Sequence, residues 1–287
     1  MIGQSQENMG KVVDEVMAFL FVKLHEKNMD LKNFRAQKAI FQIKMWLGED
    51  HPLFNYLPYY WYYFGPFSNF VGDSFHLYKH SLNKSEIMKF NIIHEYLDEL
   101  DDLIFKLICD KDYFYDQLHK DVYRNYAPSK CMYSFKFEIF DTANEFREIK
   151  NEDYLIETFF KCESQLPYDN YFNEFSDIFS NFTTKIDFIN EENNLSKYWI
   201  ILREPIKKLW CTFAKGLRVQ YKDKFYDNMS KQWDLEFNEN LKILKSYISN
   251  AEEEIKNKNI LSKNNLHKYT PIQKQILNST VGNYLRR

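Results

Sequence analysis

Four side chains in this sequence stand at metal-ligand spacing. His76 and His80 are four residues apart, and so are His94 and Asp98. On a helix, residues i and i+4 share a face, and two such faces brought together offer the imidazole and carboxylate donors that Zn²⁺ takes. Histidine pairs at this spacing are also common on solvated helix surfaces, and no third element of the sequence requires a metal. Asp98, Glu99, Asp101 and Asp102 form a run, not a spaced pair, which reads as a solvated or acidic binding face and not as a general acid with its base.

Other chemistry is missing outright. The sequence has no glycine-rich phosphate cradle, GxSxG elbow, HExxH helix or CxxC pair. With 7 glycines in 287 residues, backbone-lined nucleotide sites are hard to build. No catalytic residue, cofactor or bound metal is therefore expected, and the chain reads as non-enzymatic. A metal-dependent hydrolase built on His76, His80, His94 and Asp98 is the remote alternative.

Cationic side chains are better organised. Arg203, Lys207, Lys215, Arg218 and Lys222 follow steps of three, four or eight, which places them on one side of a helix opposite Ile206, Phe213 and Leu217. Such a stripe suits phosphates or an acidic partner, although a solvated face opposite a packed one has the same pattern. The net charge of −3 also hides an asymmetry: residues 255–287 hold seven Lys/Arg and no Asp/Glu, which leaves −10 on the rest. That basic tail is a second electrostatic handle for nucleic acid or an acidic protein.

The compartment follows from cysteine usage. Cys109, Cys131, Cys162 and Cys211 lie far apart, which suits neither a zinc site nor a disulfide framework, so reduced cytosol is expected. No basic leader precedes an apolar core, and the apolar run at 16–24 is too short to span a bilayer. The reading is cytoplasmic, with no membrane partner.

The elements that would position these groups are helical. The chain has 26 Phe and 21 Tyr but only 7 Gly and 7 Pro, a balance that favours long helices. Helical spacing of apolar residues predicts helices over 11–27, and from an Asp30 cap to Gly48. "YYWYYF" at 59–64 has strand-forming aromatics. Gly65-Pro66 must break it, and Ser68 can cap a helix running to about Leu82. The expected order there is strand, tight turn, helix, with Trp61 and Phe64 buried.

Further helices are predicted at 85–109, 111–126 and 129–145, with a boundary at the charged turn 147–153. Beyond it, Phe237, Leu241, Leu244, Ile248, Ala251 and Ile255 follow an alternating four-three spacing, the seam of a helical hairpin or coiled coil. Trp199, Leu202, Ile206, Phe213 and Leu217 offer an antiparallel mate through a turn near Asp227-Asn228. The predicted domains are 1–148, mainly helical; 149–262, a helical bundle with a long hairpin; and 263–287, a basic tail helical at 271–285.

Two segments together carry a family resemblance. "RAQKAIFQIKMWLG" (35–48) and "PYYWYYFGPFSNFV" (58–71) resemble the Panacea, or SocA-like antitoxin, domain: a helix with an "LQKLLY"-like core, then an aromatic strand with a "YGPYS"-like turn, then a helix. Gln37, Lys38 and Phe41 match the first signature. Phe64, Gly65, Pro66, Phe67 and Ser68 match the second, with Phe in place of both tyrosines, and Trp61 lies in the strand ahead of it. Ala36 stands where leucine is usual, and the resemblance covers residues 11–145 only.

The resemblance implies a mainly helical, winged-helix-related domain that binds and neutralises a partner toxin. The protein is accordingly read as an antitoxin-like interaction module with a toxin-like partner protein and a homodimer through the C-terminal helices. The alternative is a winged-helix-type DNA-binding transcriptional regulator. Its recognition helix, 68–82, would carry Lys79 against Asp73 and no arginine, which is poor equipment for base readout.

Overall fold

The computed structural model describes residues 6–79, 90–145, 149–167, 169–192 and 194–257. His80 and the basic tail, with its expected helix at 271–285, lie outside them. The described chain is mainly helical with one small antiparallel sheet of two strands.

Helix α1, Gln6–Glu26, buries Val12, Val13, Val16, Phe19, Leu20 and Leu24, the periodic positions of its sequence. Helix α2, Asn33–Leu47, begins later than an Asp30 cap would place it, and its preceding residue, Lys32, makes no side-chain cap bond. Asp30 is held through its backbone instead. Its N–H donates to the Tyr115 hydroxyl at 2.8 Å, and that hydroxyl donates back to its carbonyl at 3.2 Å. Gly48 closes α2 at φ 80°, its N–H bonded to the Lys44 carbonyl.

The aromatic stretch folds differently from the expected order. Strands β1, Tyr60–Tyr62, and β2, Gly65–Phe67, pair antiparallel with Tyr60 opposite Phe67, Trp61 opposite Pro66 and Tyr62 opposite Gly65. The chain therefore reverses at Tyr63-Phe64, and Gly65-Pro66 opens the return strand. Proline is tolerated there because Trp61, its partner, points its own N–H away and donates to the Tyr221 carbonyl at 2.9 Å. The Trp61–Pro66 pair is thus a non-hydrogen-bonded one, where a missing N–H costs nothing.

The far side of β1 is covered by the segment that follows helix α10, Leu195–Gln220. Tyr60 bridges to Lys222, and the Asp223 N–H donates to the Tyr59 carbonyl at 2.8 Å. After β2 comes α3, Asn69–Lys79. Ser68 precedes it as expected, but its hydroxyl is buried and makes no cap bond.

Helix α4 covers Leu97–Ile108, shorter than the expected 85–109, with Phe90 to Ile93 outside any helix. Two π-helical segments follow. Tyr113–Gln117 leads into α5, Leu118–Tyr126, and Phe135–Phe140 joins α6, Met132–Ser134, to α7, Asp141–Asn144. Single-turn π segments are rare, and they concentrate at functional sites.

Helix α8, Glu152–Ser164, is capped by the Asn151 side chain. Helix α9, Asn173–Glu191, then leads to α10. A 3-10 turn at Lys224–Met229 joins α10 to α11, Ser230–Asn257. The two long helices pack on each other. All six positions of the four-three seam, Phe237 to Ile255, are buried, as are Trp199, Leu202, Ile206, Phe213 and Leu217 of α10. This seam is closed within the chain and is not left for a second copy.

One hydrophobic cluster extends from Val12 in α1 to Ile255 in α11. Among the described residues no helix is long and apolar enough to cross a membrane.

Candidate functional site

The two signature segments meet as one hydrogen-bonded unit. Gln37, on the buried face of α2, donates from Nε2 to the Ser68 carbonyl at 2.9 Å and accepts the Ser68 N–H on Oε1 at 2.8 Å. A primary amide is the neutral side chain that can both donate to and accept from one peptide in this way. The Gln37 carbonyl accepts from the Tyr59 hydroxyl at 3.1 Å. One residue on, Lys38 Nζ donates to the Pro66 carbonyl at 2.9 Å.

Gly65 is required at this junction. Its φ is +91°, and a Cβ there would lie 2.9 Å from the Tyr123 ring and 3.3 Å from Lys38 Nζ. Phe41 packs edge-on to Tyr59 and Trp61, at ring separations of 5.2 and 6.0 Å. Trp61 is buried at 7% exposure and meets Tyr123 edge-on at 5.5 Å.

Phe64 corrects the expectation of burial. It is 49% exposed, because it is the second residue of the hairpin turn and not part of a strand. Phe34, itself 39% exposed, meets it edge-on at 6.2 Å. The hairpin is braced from below by Trp210 Nε1, which donates to the Tyr63 carbonyl at 2.9 Å, and by the Tyr63 hydroxyl, which lies against Cys211 Sγ.

Beside this tip, α2, the π-helical turn Tyr113–Gln117 and α5 line a half-open cavity of about 530 Å³ whose wall includes Phe34, Arg35, Lys38, His119 and Lys120. Lys38 is 2% exposed, and no carboxylate lies at ion-pair distance from it among the described residues. Burial, and then the nearby Lys136 cation, hold its pKa well below the ordinary lysine value. Lys136, also buried, pairs with Asp141. His119 meets Phe34 edge-on at 4.6 Å, and its Nε2 is buried without a hydrogen-bond partner among the described residues. Burial followed by Lys38, Lys136 and Lys120 pushes its pKa down to about 2, so the ring stays neutral.

Of the metal-like quartet, three members lie among the described residues. His76 is exposed near the end of α3, His94 is exposed in a 3-10 turn, and Asp98 is exposed in the first turn of α4, while His80 lies outside the described residues. No group of three His, Cys, Asp or Glu side chains placed to hold a metal ion occurs among the described residues.

The basic stripe does not form one solvent-facing row. Arg203 is buried, with Nε donating to the Ala143 carbonyl at 2.5 Å. Arg218 is buried in an ion pair with Glu236 and stacked over Tyr62 and Trp233 at 4.9 and 5.0 Å. Lys207 pairs with Glu204 at 2.7 Å, and Lys222 donates to the Val219 carbonyl at 2.6 Å. Lys215 is half-buried. A guanidinium is more weakly hydrated than an ammonium and stacks on aromatic faces, and Arg218 does so on Tyr62 and Trp233.

Sequence reasoning missed Lys136, His119 and Asp223. Asp223 Oδ2 accepts from Lys44 Nζ and from the Tyr59 N–H, both at 2.6 Å, tying α2 and β1 to the end of α10. A signal for some of this is present in α2, where Gln37, Lys38, Gln42 and Lys44 occupy positions among buried apolar residues. Comparison of the chain with protein-family models, with curated proteins and with solved structures finds no match.

Proposed function

We propose that the protein is a non-enzymatic interaction module of antitoxin type, which binds and neutralises a partner protein through the hairpin tip. The observation that carries this reading is the build of that tip. Gln37 and Lys38 clamp the return strand at Ser68 and Pro66, which fixes the hairpin while Phe64 and Phe34 face solvent. Large exposed aromatics on a preorganised support are the usual anchors of protein–protein contacts, because little entropy is lost when they dock. The likeness of these same segments to the Panacea domain supports the antitoxin version and a winged-helix-related origin for the N-terminal part.

A DNA-binding regulator has less behind it. The exposed positions of α3 include Asn69, Asp73, His76 and Lys79, with no arginine, and Arg203 and Arg218 are engaged inside the protein. Co-expression with the products of neighbouring reading frames tests the proposal. One of them should be toxic alone, neutralised by this chain and co-purified with it. Phe64→Ala should abolish neutralisation while leaving Tm within about 1 °C of the parent, as an exposed substitution does. If no neighbour is toxic and none co-purifies, or if Phe64→Ala neutralises fully, the reading fails.

A further inference from the structure

Burying an ammonium group without a counter-charge is unfavourable by several kcal/mol unless something compensates it. Lys38 is in that position. Among the described residues its ammonium donates to the Pro66 carbonyl and lies 5.0 Å over the Phe34 ring, which offsets part of that cost, but an ammonium has three donors and its charged neighbour is another cation, Lys136. Next to it, the His119 ring presents a buried Nε2 that no group among the described residues satisfies. Both side chains line the same cavity, whose rim adds Arg35 and Lys120 against a single carboxylate, Asp116. Its volume of about 530 Å³ is that of a small-molecule site.

The walls are unusual in their backbone as well. The π-helical turn Tyr113–Gln117 forms one side of the cavity, while the second π-helical turn, Phe135–Phe140, is not part of the wall and carries Lys136, the cation that acts on Lys38 and His119. Such turns are kept where a side chain must be aimed at the cost of regular helix bonding. Arg35 is pre-positioned too: its guanidinium lies 4.6 Å over the Tyr115 ring and donates to the Tyr115 carbonyl at 3.4 Å.

We propose that the cavity between α2 and α5 is an anion site, in which Lys38 and His119 Nε2 receive the oxyanion of a small ligand, a phosphate or a carboxylate, with Arg35 and Lys120 at the mouth and Phe34 against its apolar part. The oxyanion supplies the missing counter-charge of Lys38 and a hydrogen-bond acceptor for a neutral imidazole N–H. The site shares Phe34 and Lys38 with the hairpin tip but needs no protein partner, so anion binding is measured on the isolated chain whether or not the interaction reading holds.

The full chain is titrated with inorganic phosphate, and separately with benzoate, against sodium chloride at matched ionic strength, by thermal shift and calorimetry. At least one of the two should raise Tm saturably, and the arm that does so identifies the ligand's head group. Lys38→Met, which nearly matches the volume but removes the donor to the Pro66 carbonyl, should raise its Kd by ~10-fold or more in folded protein, the loss expected for a charged hydrogen bond. Lys120→Glu, at the rim and away from the core, should weaken binding without lowering the anion-free Tm, which covers the case in which the Lys38 variant does not fold. No shift beyond chloride with either probe overturns the proposal. A shift that survives Lys120→Glu, or Lys38→Met in folded protein, also overturns it, because the anion then binds elsewhere.

Discussion

Gln37 and Gln42 are both buried in α2, five residues apart, yet they do different work. Gln37 satisfies both the N–H and the carbonyl of Ser68, whereas Gln42 donates once to the Tyr126 hydroxyl and leaves its own Oε1 without a partner. Removing a side chain that covers a buried peptide group exposes the full desolvation penalty of that group. Gln37→Leu should therefore destabilise the protein by about 1–3 kcal/mol in urea denaturation with an unchanged m-value. Gln42→Leu removes its own unsatisfied atom along with the bond and should be close to neutral. Equal losses for the two would mean that the clamp on Ser68 contributes nothing of its own. These residues also mark what was hard to read. A glutamine or lysine in a helix reads as surface by type, and Lys38 and Arg218 are inside because an aromatic-rich interior offers ring faces and carbonyls to long cations.

At the level of elements, legibility follows periodicity. The apolar positions of α1, α10 and α11 repeat at helical spacing, and the structure buries them. The hairpin had no such signal. In Tyr59–Phe64 every residue is aromatic, so no alternation distinguishes strand from turn, and Phe64 has the same chemistry as its buried neighbours. The π-helical turns are equally invisible, since one inserted residue only blurs a helical pattern. Packing between elements makes a sharper prediction at Gly216 in α10. A Cβ there would stand 2.6 Å from the Phe172 ring and 2.9 Å from the Phe237 ring. Helix propensity alone would favour Gly216→Ala by about 1 kcal/mol. Both rings are fully buried among Phe213 and Tyr171, so they have little room to retreat. Overpacking of this kind costs about 1–3 kcal/mol. The substitution should lower Tm; a rise would show that the rings move aside and that propensity decides.

For the whole molecule, the sequence divides at the charged turn 147–153, but the forces holding the hairpin come from beyond it. Trp210, fully buried, packs on Phe135 and Phe140 and braces the Tyr63 carbonyl. The strip 221–223 satisfies the Trp61 N–H and the Tyr59 carbonyl, and Asp223 neutralises the buried Lys44. A fragment of residues 1–148 loses all of these at once. It would strip the buried Lys44 of its carboxylate, and because Asp223 is itself 38% exposed the loss is smaller than the ~3–5 kcal/mol of a fully buried pair. It would also open a β1 edge lined by aromatics, a surface prone to pairing with other copies. Since a domain is stable by only about 5–15 kcal/mol, the fragment should lack a cooperative urea transition and should aggregate, while the full chain unfolds in a single step. A soluble fragment with helical far-UV circular dichroism and its own sharp transition would establish the opposite: that the N-terminal part is an autonomous domain and the contacts with α10 are an accessory to it.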